Sequence, residues 1–170
     1  TNLSDSTSYI DVGATTINDS TAWSLTVWLK PDNVGDNYFI SNTDYIAIIS
    51  QSIIRVRADG ANYNLSYKLS GETIATFTPG QWVHIGLTKG TDDELRLYVD
   101  GVLQTDSDAL GNDHVDMNDP FDYRYIGGYV SGTSYPFNGV VDDLAIYTST
   151  ELEEGQVERN YKAGKRRHKN

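Results

Sequence analysis

Few residues in this chain have the types and spacing that chemistry requires. Histidine stands only at 84, 114 and 168, and cysteine is absent. There is no GxSxG elbow, no HExxH pair and no phosphate-cradling glycine loop. A retaining glycan hydrolase needs two carboxyl groups about 5 Å apart, one as acid and one as nucleophile. Alternate positions on a strand would supply them, because residues i and i+2 share a face. No Glu-x-Asp-x-x-Glu run occurs. "DDEL" (92–95) reads as a turn, and "ELEEGQVE" (151–158) reads as a helix start. In "VDDL" the adjacent Asp142 and Asp143 are expected on opposite faces of a regular strand, so they cannot act as a pair. Catalysis therefore ranks third among the functional readings, as a glycan-active enzyme. His84, mid-strand beside Trp82, is expected to be buried and hydrogen-bonded.

Oxygen ligands for a hard cation are more plentiful. Calcium takes six to eight oxygens from Asp, Asn and carbonyl groups. Asp106, Asp108, Asp113 and Asp116, with Asn112, Asn118 and Asp119, crowd one loop, although "DSDALGND" misses the EF-hand spacing by a residue. The other conspicuous chemistry is aromatic. Tyrosine occurs 12 times, and its rings offer faces on which sugar rings pack, with a polar tip for hydroxyls. "NDPFDYRY" and "GYVSGTSYPFNG" combine rings with amides and carboxylates. Tyr123, Tyr125, Tyr129, Tyr135 and Asn138 are the candidate ligand-binding residues. The expected partner is a glycan or cell-surface polysaccharide.

The net charge of −11 argues against general binding to phosphate backbones. The last six residues, "KRRHKN" (165–170), oppose that trend. They read as a basic, solvated tail after a domain at 1–164, or as a contact for an acidic partner surface. No apolar run approaches the roughly 20 residues of a membrane span. No basic-then-apolar leader opens the chain, which leaves a removed leader, another export route or a segment of something longer.

Short strands must carry these groups. Tyr, Thr and Ser are abundant, and glycines punctuate the chain. "AWSLTVWLKP" puts Trp23, Leu25, Val27 and Leu29 on one face, and Ser24, Thr26, Trp28 and Lys30 on the other. Pro31 ends the ladder. "QWVHIGLT" and "LRLYV" alternate likewise, and Asp100-Gly101 is a strong hairpin signal. "ELEEGQVERNYKAG" is the one helical pattern, near 153–162, with Gly164 as its C-cap. About a dozen short strands and one terminal helix imply an all-β fold: an antiparallel two-sheet β-sandwich, or jelly roll, with one short C-terminal helix.

The order of these pieces resembles the laminin-G-like, concanavalin A-like jelly-roll domains, a group that also holds pentraxins and legume lectins. "SYIDVG", "WSLTVWLKP", "GQWVHIGLT…LRLYVDGVLQ" and "YIGGY…FNGVVDDLAIY…QVERNYKAG" carry the resemblance. It implies lectin-like recognition or adhesion in an extracellular, cell-surface or virion protein. It also implies a structural Ca²⁺ held by Asp142 or Asp143 with Asn18 and Asp19. The pentraxin double-calcium pattern is missing, because Gly128, Tyr129, Ser131, Thr133 and Ser134 stand in its place. The family usually has one more strand before "SYIDVG", where this chain has only "TNLSDST". The closing "VERNYKAGKRRHKN" resembles the ends of such domains in bacteriophage and marine viral structural proteins. The competing function is thus a purely structural module, a capsid decoration or fibre domain contacting other virion or cell-surface proteins.

Overall fold

The structure is a computed structural model, and it describes residues 2–3, 9–33, 35, 37–49, 52–66, 68–69, 73–104, 115–128 and 137–169. The strands are β1 (Asn2–Leu3), β2 (Ile10–Ile17), β3 (Trp23–Pro31), β4 (Asn37–Ser41), β5 (Tyr45–Ile49), β6 (Ile53–Ala58), β7 (Ala61–Ser66) and β8 (Lys68–Leu69). They continue with β9 (Thr73–Ile74), β10 (Val83–Lys89), β11 (Glu94–Val99), β12 (Val102–Leu103), β13 (Val115–Asp116), β14 (Phe121–Ile126) and β15 (Gly139–Tyr147). One helix follows, α1 (Glu154–Gly164).

Two antiparallel sheets face each other among the described residues. The first runs β1-β15-β3-β10-β11-β12, with β13 also on β11, and the second runs β2-β14-β4-β5-β6-β7. The alternation in β3 decides which side chains meet between them. Trp23, Leu25, Val27 and Leu29 enter the core with Ile85, Leu87, Leu95, Leu97 and Val99 of the same sheet. Phe39, Ile40, Ile46, Ile48, Ile54, Val56, Phe121 and Ile126 close it from the other sheet. Burying one such side chain is worth roughly 1.5–3 kcal/mol, so a one-residue slip that turned a strand over would be strongly opposed. Asp100 and Gly101 have φ of 52° and 79°, the two left-handed positions that a tight hairpin turn demands. The Asp100 carboxylate also accepts the His84 backbone N–H at 2.9 Å.

Three expectations change. "TNLSDST" does contain a strand, because Asn2 and Leu3 pair with Val140 and Gly139 of β15. Its two residues are too short to show periodicity. The helix begins on a capping box, with Gln156 accepting the Glu153 backbone N–H at 2.8 Å, and runs to Gly164. Gly164 is inside the helix with ordinary φ, and Lys165 is the cap. Glycine is required there by contact: a Cβ on Gly164 would lie 2.1 Å from the Trp28 indole nitrogen.

Candidate functional site

The outward face of the second sheet carries a continuous polar-aromatic row. Residues directly opposed across strands share a face. The registers align Asp11 with Tyr125, Tyr125 with Ser41, Ser41 with Tyr45, Tyr45 with Arg57, and Arg57 with Asn62. One line therefore crosses all of β2, β14, β4, β5, β6 and β7. A second line, Tyr38–Ala47–Arg55, runs beside it. At about 4.8 Å between strands, the Tyr125 and Tyr45 backbones stand roughly 10 Å apart.

The side chains along this row hold one another. Tyr9, half exposed, packs edge-on against Tyr125 at 5.2 Å. The register slips between Tyr123 and Tyr125, and the Arg124 guanidinium lies over the Tyr125 ring at 5.0 Å. Arg124 also grips Asp11 with two nitrogens, at 2.8 and 3.1 Å, which holds the Asp11 carboxyl below the usual carboxylate range. Tyr38 and Tyr45 meet edge-to-face at 4.4 Å, and Arg57 stands 5.9 Å from the Tyr45 ring centre. Ser41, at the middle of the row, is buried and donates its hydroxyl to the Gly128 carbonyl. Tyr45 is itself buried, so the half-buried rings of Tyr125 and Tyr38, with the exposed Tyr9 and Asn62, are the part of this face suited to packing on a sugar and bonding its hydroxyls.

Of the expected ligand residues, Tyr125 is on this face. Tyr123 points the other way, into the core, stacked with Phe121 at 6.2 Å. The strand alternation of "FDYRY" allowed either face, and the bulge is what turned Tyr125 outward. Asn138 lies at the rim, where its N–H donates to the Asn37 side chain and its carbonyl accepts from the Asp32 N–H. Tyr129 and Tyr135 lie outside the described residues. The sequence points to Tyr38 and Tyr45 only as members of a wider tyrosine set, and it does not single out Tyr9, Arg57 or Asn62. The available signal was the shared parity of Tyr45-Ala47 and Arg55-Arg57 opposite the buried Ile46, Ile48, Ile54 and Val56.

The outward face of the first sheet is covered by α1. Asp142 on β15 and His84 on β10 both oppose Trp28 on β3. His168 stacks on Trp28 at 4.4 Å and stands against Trp82 at 4.5 Å, and it is buried. The solvated-tail expectation thus fails at His168: the basic end folds back on the chain's own acids. His168 Nδ1 faces the Gly164 carbonyl and Nε2 faces Asp142, each at 3.0 Å. Arg167 pairs with Asp143.

Asp142 and Asp143 need correcting too. Asp143 adopts φ 49° and the β15–β3 register shifts after Asp142. This bulge brings oxygens of both carboxylates and a nitrogen of His168 within 4.8 Å of one another. Regular alternation had placed the two acids on opposite faces. His84 is buried as expected, but its Nδ1 has no partner among the described residues. Burial, then the charge of His168, pushes its imidazole down to about 4.

The expected calcium site does not assemble from these parts. The Asn18–Thr21 turn precedes Trp23, while Asp142 opposes Trp28. Five residues of β3 separate them, roughly 17 Å. The fully buried Lys89 instead points its ammonium at the Asp19 carbonyl (2.6 Å) and the Asp93 carboxylate (2.7 Å). A side-chain cation thus occupies the Asp19 backbone carbonyl. Asp142 and Asp143 are likewise held by His168 and Arg167. In the alternative loop site, Asp106, Asp108 and Asp113 lie outside the described residues, and Asp116 is an exposed residue of β13.

The chain belongs to the concanavalin A-like lectin/glucanases superfamily, whose laminin-G-type family model matches residues 4–158. No curated protein matches the sequence. Among solved structures it is similar to a heptameric pentraxin from Limulus polyphemus, with TM-score 0.62, 15% identity, and 88% of this chain covering 73% of that one. It is similar to a putative carbohydrate binding protein from Bacteroides ovatus, with TM-score 0.60, 21% identity, and 89% covering 44%. A third is domain 4 of an extracellular arabinanase from Geobacillus stearothermophilus, in complex with arabinotriose, with TM-score 0.57, 20% identity, and 91% covering 80%. The chain thus spans less than half of the Bacteroides protein. These likenesses establish the two-sheet fold. No helix among the described residues is long and apolar enough to cross a membrane.

Proposed function

We propose that this domain is a non-catalytic carbohydrate-recognition module of an extracellular or cell-surface protein, and that it binds its glycan across the outer face of the second sheet. The observation that carries the reading is the Asp11–Tyr125–Ser41–Tyr45–Arg57–Asn62 row, with Tyr9 and Tyr38 beside it. Relatives described as a putative carbohydrate binding protein and as an arabinanase domain in complex with arabinotriose support the same class. Tyr125→Ala and Tyr38→Ala test it on a glycan array. Each should weaken the best binder about tenfold, or about 1.4 kcal/mol, with the circular-dichroism spectrum unchanged. Undiminished binding in both variants would move the site elsewhere.

A second reading has its own observation. Strand β2 is the edge of the second sheet, and Tyr9, Ile10 and Val12 are 49%, 42% and 49% exposed there. Such an edge can pair with another chain, as a structural module of a virion or cell-surface assembly would require. A defined oligomer by light scattering, dispersed by Val12→Lys, would favour it. Calcium enters the proposal only at the Asp106, Asp108, Asp113 and Asp116 loop.

A further inference from the structure

We propose that the glycan is anionic, carrying carboxylate or sulfate groups, and that Arg57 is the residue that reads its charge; this rests on the outer-face reading above. The protein holds 24 acidic residues against 13 Lys and Arg, so any cation has acids to choose from. Three acids near this row, Asp11, Asp44 and Asp122, are nevertheless committed elsewhere, while Asp59 stands exposed in the turn after β6. Asp11 is held by Arg124 through two nitrogens. Asp44 is turned inward, accepting the backbone N–H groups of Asp59 and Asp122 at 3.1 and 2.8 Å. Asp122 accepts the hydroxyls of Thr16 and Thr43 at 2.5 and 3.3 Å.

Arg57 is left half-buried beside Tyr45 and opposite the exposed Asn62, with no carboxylate partner among the described residues. Its contact with Tyr45 engages the ring and leaves the guanidinium's N–H donors for a ligand. That fork matches a carboxylate or sulfate with two parallel hydrogen bonds. The row then divides its labour. Tyr125 and Tyr38 pack against the sugar rings, the buried Tyr45 supports Tyr38 and Arg57 from beneath, Asn62 bonds hydroxyls, and Arg57 distinguishes a charged polymer from its neutral counterpart. In a molecule of net charge −11 this discrimination needs a local, unpaired cation, because the overall field repels the ligand.

Two pairs of polymers that differ only in charge test this: polygalacturonate against its methyl ester, and dextran sulfate against dextran. Binding to the intact chain is measured by affinity electrophoresis and calorimetry at low and high salt. The expected result is at least tenfold tighter binding of the charged member, weakened by salt. Arg57→Gln should weaken binding of the charged member at least tenfold more than that of the neutral member, and Arg57→Lys should restore part of the preference. Equal binding of neutral and charged members, unmoved by Arg57→Gln, would overturn the anionic assignment and leave the glycan reading standing. Loss on Arg166→Gln/Lys169→Gln in place of Arg57→Gln would also overturn it, since the basic tail would then be the contact. Failure to bind any glycan would remove the proposal and the reading together.

Discussion

His84 shows how a single buried side chain couples this fold to pH. Its imidazole is held near 4, against an ordinary value of about 6.5. Between those limits the unfolded chain takes up a proton that the native state refuses. Stability is therefore full above about pH 6.5 and falls as pH drops towards 4, by up to roughly 3 kcal/mol. Urea titrations across pH 4 to 7 should show this slope, and His84→Leu should flatten it while changing stability at pH 7 far less. A slope that survives the substitution would place the titrating group elsewhere. Asp142 adds to the same trend at lower pH, because its hydrogen bond from His168 keeps its carboxyl below the usual range. That contribution is lost only as pH falls through the depressed value.

Helix α1 and the strands beneath it fit because two glycines leave room. A Cβ on Gly86 of β10 would stand 2.7 Å from Val157 of the helix, and one on Gly164 would stand 2.1 Å from the Trp28 ring nitrogen. The helix buries Val157 and stacks Tyr161 on Trp28 at 5.6 Å, and the turn after it delivers His168. Gly164→Ala overpacks this contact, which costs about 1–3 kcal/mol. For a domain of this length that lowers Tm by roughly 2–12 °C. Tryptophan fluorescence should shift as Trp28 and Trp82 lose their cover. A helix-favouring alanine that raised Tm would show that the close approach is slack. The strand alternation here was readable from residues 22–31 and 81–99, since a period of two is a local property. The bulge at Asp143 was not, because nothing in "VVDDLAIY" marks which residue the ladder skips.

Across the whole molecule the acidic excess makes cation binding testable. A ligand bound only by the native state stabilises it by roughly 2.7 kcal/mol at a hundredfold excess over Kd. If the 106–116 loop holds Ca²⁺, EDTA should lower Tm by roughly 5–11 °C and Ca²⁺ should restore it, and Asp113→Asn should abolish the response. Asp142→Asn and Asp143→Asn should instead lower Tm equally with and without Ca²⁺, since their partners are His168 and Arg167. A melting curve indifferent to chelation would take calcium out of the proposal.

What the amino-acid sequence determined by itself was whatever neighbours in the chain decide. The parity of Trp23, Leu25, Val27 and Leu29, the Asp100-Gly101 turn and the helix start at Glu153 are all local, and together they define a two-sheet sandwich. Tertiary structure decided the sites. The outer-face row joins residues from Asp11 to Tyr125 because six strands align in register. The basic tail met Asp142 and Asp143, and Lys89 met Asp19, only because strands distant in sequence lie side by side. Register is a cooperative result of packing both sheets on one core, so residues that share a surface leave no mark in their spacing along the chain.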